Sequence, residues 1–365
     1  MTMINKLVVE QFRGINDLKI DKLNRINLIV GDNNCGKTSV LEAIQLFRTS
    51  ELLGNIYTIA RQRESLQWLN SNSLYENFIC MFPHDGRDLK IRVSGKCNEK
   101  DISYELVGRQ KTVLVDVKEL DRFVVRENLS SLVTETATDE FEGVISSNYG
   151  KNAKEQKIKI NRLSGIAGIP ISEKDEFKVI YVAPFEHLKG SIISQIIKDD
   201  DYKEICLKAL QLFDPEIIDM VLFKSDTGNR PVEFLKHKRL GNMPLSTYGD
   251  GIKKVLVLAN AIARATGGVL LIDEIETAIH HKYYDDIFRF IVKACSAFDV
   301  QAFITTHSLE AIDGLLATQD YEIQKTEDSM SVVTLKREEN KTYSRVLSGR
   351  EVALDREAFG FEVRL

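Results

Sequence analysis

The stretch INLIVGDNNCGKTSVLEAIQLF, from Ile26 to Phe47, constrains the fold more than any other part of the chain. Within it, Gly31-Asp32-Asn33-Asn34-Cys35-Gly36-Lys37-Thr38 has the spacing GxxxxGK followed by a hydroxyl residue. Backbone N–H groups, a lysine and a hydroxyl at that spacing gather around phosphates and their Mg²⁺. The loop works only between a buried strand and a helix N-terminus, where unpaired N–H groups and the helix dipole meet an anion. Both flanks comply: Ile26 to Val30 is a short apolar run, and Val40, Ala43, Ile44 and Phe47 recur at helical spacing after Thr38-Ser39. The reading is an α/β fold, with Gly31, Asn33, Asn34, Gly36, Lys37, Thr38 and Ser39 around a nucleotide's phosphates.

A length of 365 residues suggests one large domain with an insertion, or two domains. Hydrophobic residues at 43% and charged ones at 28% are those of an ordinary globular protein, and six prolines argue against long disordered linkers. No apolar run is long enough to span a bilayer, and the opening MTMINKLVVEQF lacks the basic and apolar regions of a leader peptide, so a cytoplasmic location without membrane association is expected. Five scattered cysteines without CxxC spacing indicate neither a disulfide framework nor a zinc site. A net charge of −5 gives no global reason to expect nucleic-acid binding. Only local patches can supply it, such as Lys151, Lys154, Lys157 and Lys159, read as a solvated loop, or the KHKR run at Lys236–Arg239.

The opening KLVVEQFRGINDLKIDKLNRINLIV reads as two or three strands feeding the loop. From about Leu52 to Ile180, short runs such as FICMF, LKIRVSG, ISYELVG and TVLVDV suggest a mainly antiparallel insertion, and Gly190 to Met220 looks helical. Then a helix over Lys254–Arg264, a strand over Val269–Ile272, a helix over Tyr283–Ala297 and a strand over Gln301–Thr305 alternate. Parallel strands joined in this way place their C-terminal ends on one edge, where ligands bind in open α/β sheets. The expected division is 1–50 (strands and phosphate loop), 51–189 (insertion), 190–243 (helical connector), 244–320 (second half of the site) and 321–365 (closing strands).

VLLIDE is an apolar run ending in two carboxylates, as the exit of a buried strand beside a phosphate loop requires for nucleotide hydrolysis. Asp273 would hold Mg²⁺ through water and Glu274 would activate the attacking water. FITTHS brings His307 to the end of a second strand, where an imidazole can orient water or sense phosphate loss.

Taken together, GDNNCGKT, STYGDG ahead of a helix, LLIDE and TTHS resemble the ABC-type ATPases of the SMC, RecF and OLD group, most nearly the OLD-like AAA ATPases often found in bacterial antiviral defence operons. The motifs cover about residues 3–48 and 244–312. The resemblance implies a P-loop NTPase of ABC-head type with a β-rich insertion, using ATP and Mg²⁺. It also implies a homodimer or higher oligomer in which two heads enclose two nucleotides. Carried over, Arg13 in QFRGI lies near the nucleotide, and Thr247, Gly249, Asp250 and Gly251 form the signature loop that reaches the partner's nucleotide. The family's signature serine is Gly249 here, leaving Ser246 or Thr247 to supply a hydroxyl. Glu186, in VIYVAPFEHL, stands where many relatives have glutamine and is a candidate for a catalytic or Mg²⁺-linked role. ETAIHH falls where the family's D-loop crosses the dimer interface.

The function so implied is a nucleotide-gated ATPase switch that controls DNA or a separate effector, such as a nuclease or toxin in anti-phage defence. The alternatives are a transporter's nucleotide-binding subunit and a RecF-type DNA repair ATPase. The residues after His307 are too few for the Toprim domain of full-length OLD proteins, so any nuclease is expected on another polypeptide.

Overall fold

The apolar run ahead of the phosphate loop becomes the middle of a sheet buried on both faces. The computed structural model describes residues 2–48, 52–64, 73–83, 89–116, 135–162, 178–224, 231–319, 329–360 and 362–364. In chain order its elements are β1 (Ile4–Phe12), β2 (Ile15–Ile20), β3 (Ile26–Gly31), α1 (Lys37–Gln45), α2 (Leu52–Arg61), α3 (Leu74–Ile79), β4 (Leu89–Cys97), β5 (Lys100–Asp116), β6 (Glu135–Tyr149), β7 (Asn152–Asn161) and β8 (Val179–Val182). There follow α4 (Ile193–Ile196), α5 (Asp200–Gln211), β9 (Ile217–Phe223), β10 (Val232–His237), β11 (Gly241–Pro244), α6 (Asp250–Arg264), β12 (Val269–Ile272), α7 (Tyr284–Ala297), β13 (Gln301–Thr305), α8 (Leu309–Leu316), β14 (Met330–Glu338), β15 (Lys341–Ser348) and α9 (Gly349–Phe359).

The strands form three sheets, ordered β15-β14-β3-β13-β12-β8, β2-β1-β4-β5-β6-β7 and β11-β10-β9. In the first, β3 runs parallel to β13 and β14, and β12 runs parallel to β13 and β8. Its alternate side chains enter two cores. Leu28, Val30, Leu270, Ile272 and Ile304 pack with α5, α6 and α7, while Ile29, Val269, Leu271 and Phe303 pack with α1 and the six-stranded antiparallel sheet. Burial on both faces is why these strands read as unbroken apolar runs. The polar residues in them are bonded: Asn27 donates to Asn24 O and Ala302 O, and Gln301 pairs with both backbone groups of Ile4, tying β13 to β1.

Several sequence expectations are corrected. FICMF is not a strand: Phe78, Met81 and Phe82 are buried at helical spacing across α3 and its exit turn. ISYELVG and TVLVDV belong to one long strand, β5, because Gly108 lies directly opposite Gly143 and a Cβ there would meet the Phe141 ring at 2.4 Å. The Lys151–Lys159 stretch is not a loop but chiefly the edge strand β7, whose lysines stay exposed. Residues 190–220 turn from helix to strand at Ile217, and the last segment adds helix α9, whose Ser348–Glu351 capping box fixes its start. β4 to β7 continue the sheet begun by β1 and β2, whereas β8 joins the parallel sheet.

Candidate nucleotide-binding site

The phosphate loop leaves β3 with Gly31 at φ +141° and enters α1 through Gly36 at φ +103°, with Asn34 between them at φ +63°. Gly31 is obligatory: a Cβ would lie 2.3 Å from the Leu335 carbonyl oxygen of β14. Gly36 caps α1 without any side-chain hydrogen bond, so the first N–H groups of the helix remain available to an anion. Lys37 Nζ donates to the carbonyls of Gly31 (2.7 Å) and Asp32 (2.8 Å), which lays the ammonium along the loop. The buried Cys35 thiol lies 4.0 Å from it, and burial raises the thiol pKa, so this cysteine is shielded rather than reactive.

At the ends of the neighbouring parallel strands the acidic residues come into register. Thr38 Oγ1 donates to the two Asp273 carboxylate oxygens at 3.2 and 3.0 Å, across most of the chain length. Thr305 Oγ1 donates to Asp273 Oδ1 (2.6 Å) and Tyr181 OH to Oδ2 (3.2 Å). Burial, then the Asp273 charge, raises the Tyr181 pKa, keeping its proton on the bond. Thr305 Oγ1 also accepts from the Glu274 N–H (2.8 Å), fixing that residue at φ +47°. Glu276 Oε1 accepts from the His307 backbone N–H (3.0 Å) and lies 2.9 Å from its Nδ1. Phosphate loop, Asp273, Glu274 and His307 thus share the C-terminal edge of β3, β12 and β13.

The donors suit Mg²⁺. A threonine hydroxyl and a carboxylate 3 Å apart are hard oxygen donors of the kind Mg²⁺ takes alongside phosphates and water. Asp214, Glu216 and His237 also cluster, but His237 Nδ1 already accepts from the N–H groups of Arg239 and Leu240, so its Nε2 carries the proton that faces Asp214. That cluster is a structural clasp between the turn before β9 and the end of β10.

The sequence profile of the family described as "AAA domain, putative AbiEii toxin, Type IV TA system" matches residues 26–313. The chain belongs to this AAA family. A Helicobacter pylori protein named "ATP/GTP phosphatase" is 23% identical over 87% of this chain and 90% of its own length. A RecF protein of Halalkalibacterium halodurans is 35% identical over 18% of this chain and 16% of its own. Among solved structures, a Pyrococcus furiosus Smc head bound to the C-terminal domain of ScpA aligns with TM-score 0.51 at 12% identity, covering 99% of this chain and 100% of that one. Another Smc head, bound to the C-winged helix domain of ScpA, aligns with TM-score 0.50 at 12% identity over 96% and 98%. The fold is that of an ABC-type P-loop ATPase head.

Within this AAA-family head, the remaining sequence candidates separate. Ser39 is buried and accepts from Arg63, not from the phosphate side. Arg13 pairs at 2.6 Å with Glu42 of α1, the helix the loop enters, and Glu42 also takes two bonds from Arg63 (2.8 and 2.7 Å). Glu186 pairs with Lys189 at 3.0 Å and, like Asp273, acts on the buried Lys254. Thr247, Gly249, Asp250 and Gly251 stand at the start of α6, where Thr247 donates to Pro244 O and Asp250 pairs with Lys253. None of their hydrogen bonds among the described residues reaches the phosphate loop of the same chain.

Sequence reasoning missed Glu42, Arg63, Tyr181, Glu276 and Lys254. Lys254 is fully buried in α6, and its Nζ donates to Pro184 O at 2.9 Å. Burial pulls its pKa down to about 8, opposed by the charges of Asp273, Glu274, Glu276 and Glu186. The only sequence signal was a lysine on the apolar side of a helical pattern.

Proposed function

We propose that this AAA-family chain binds ATP with Mg²⁺ and hydrolyses it, and that the nucleotide gates the pairing of two copies. The observation that carries the reading is the 3.0 Å contact between Thr38 and Asp273 beside the uncapped start of α1, with Glu274 and His307 on the same sheet edge. Lys37 and the loop N–H groups would hold the β- and γ-phosphates, and Thr38 and Asp273 would hold Mg²⁺, which when bound neutralises charge on the phosphates. Glu274 takes the proton of the attacking water, and His307 orients that water.

The exposed start of α6 supports an intermolecular role for the signature loop, because Gly249 at its cap and Gly251 in its first turn offer N–H donors to a phosphate across an interface. The names of the relatives support a switch that acts on something else: Smc heads bound to ScpA domains, and RecF proteins of DNA replication and repair. The partner proposed here is a separate effector protein, with an OLD-like role in defence.

Lys37→Ala should abolish ATP binding in equilibrium titrations. Glu274→Gln should retain binding and accumulate an ATP-bound dimer in light scattering. A Glu274→Gln chain that stays monomeric at every ATP concentration would sink the gated pairing, and Mg²⁺-independent turnover would sink the metal assignment. A pull-down from the native host with the Glu274→Gln chain then identifies the effector.

A further inference from the structure

Glu276 has an arrangement that the proposed ATPase chemistry does not by itself require. One of its oxygens, Oε1, receives the backbone N–H of His307 at 3.0 Å and faces Nδ1 of the same residue at 2.9 Å. The other, Oε2, is buried and has no hydrogen-bond partner among the described residues. The Glu276 side chain is 10% exposed and that of His307 54%. Among the described residues, the side-chain hydrogen bond and the close ring contact of this carboxylate both fall on one histidine, while the Lys254 charge acts on it from further off.

A carboxylate accepts and does not donate, so the nitrogen that faces it carries the hydrogen. In the neutral ring the opposite nitrogen, Nε2, is then bare. We infer that Glu276 is a positioning residue that holds His307 in its Nδ1–H form, so that Nε2 meets the attacking water as an acceptor rather than meeting a phosphate oxygen as a donor. This rests on the ATPase reading for the identity of the water, but not for the state of the ring. It decides between the two roles the sequence left open for His307, water orientation and phosphate sensing, in favour of the first. The backbone contact also ties the β13 exit to the loop after β12.

The test is two-bond ¹H–¹⁵N NMR on the full chain labelled at histidine, with the His307 ring assigned among six histidines by its loss in His307→Gln. The wild-type ring is expected to carry hydrogen on Nδ1 with Nε2 bare. Glu276→Gln, whose amide can donate to Nδ1, is expected to move the ring towards its Nε2–H form. It should also lower kcat by about 10- to 100-fold, the range for losing a functional histidine's orienting partner, while the ATP dissociation constant changes by less than about twofold. A wild-type ring already in the Nε2–H form, or a Glu276→Gln chain with unchanged ring state and turnover, overturns the inference. A wild-type ring in the Nδ1–H form on a chain that hydrolyses no nucleotide overturns the ATPase reading and supports the ring assignment.

Discussion

Two neighbouring regions of the molecule that both face nucleotide chemistry in the proposed dimer are built differently. At the phosphate edge, Asp273 is buried and takes hydroxyls from Thr38, Tyr181 and Thr305, three residues far apart along the chain. At the start of α6 the signature residues are mostly exposed, their bonds are to near neighbours, and among the described residues a Gly249 Cβ would meet nothing within 4 Å beyond its chain neighbours. Tertiary structure preorganises the first region, so it is ready for its ligand as one chain folds. The second is held by backbone packing, with the Ala278 carbonyl 3.1 Å from where a Gly251 Cβ would stand, and its side chains are left outward.

That contrast breaks first if chemistry fails to depend on the preorganised end. Glu274→Gln should lower steady-state turnover by about 10²–10⁴-fold, the usual contribution of a general base, with ATP affinity retained in equilibrium titrations. Next in size is the layer beneath the loop. Glu42 is 1% exposed between Arg13 and Arg63, which are 10% and 46% exposed. Glu42→Ala strands the Arg13 cation and should cost about 3 kcal/mol in denaturant unfolding, towards the low end for breaking a buried pair because Arg63 can turn to water.

Lys254 joins the two regions, since it lies in the signature helix yet feels the acids of the phosphate edge. Burial lowers its pKa from 10.5 to about 8, so the folded chain holds this proton less tightly than the unfolded one. The penalty for the buried ammonium is fully present below about pH 8 and is relieved as pH rises towards 10.5. The stability of Lys254→Met relative to wild type should therefore be greatest below pH 8 and shrink above it, by on the order of 3 kcal/mol in all. A pH-independent difference would place the ammonium in water. The smallest effect belongs to the exposed side. Leu188, 53% exposed on the turn packed against α6, should tolerate Ser with less than about 0.5 kcal/mol change in stability. The same change should weaken ATP-dependent association of the Glu274→Gln chain, and unaltered association would move the pairing face elsewhere.

What could be read along the chain was local. The phosphate loop, the strand before it and the alternation around LLIDE and TTHS all carry their meaning within a dozen residues, and the sheet edge gathers them as expected. What could not be read depends on which distant residue lies opposite. Nothing near Gly108 announces Gly143, so one strand looked like two. Lys253 and Lys254 are indistinguishable in the sequence; the phase of α6 against the sheet exposes part of one and buries the other. Glu276 looked like another acid of the loop after Asp273 until β13 brought His307 to it. Arg13 was carried over by likeness to other proteins; its partner Glu42, in the helix after the loop, had no signal in the sequence.

The pairing of β14 with β3 has a consequence for synthesis. The floor of the loop includes Leu335, whose carbonyl crowds Gly31 and whose strand runs beside Ile26–Gly31. A ribosome adding roughly 5–20 residues per second needs about 15 to 60 s to travel from one strand to the other. Through that interval the emerging polypeptide exposes a glycine-rich motif without its supporting wall, so competence to capture a triphosphate arrives late in translation.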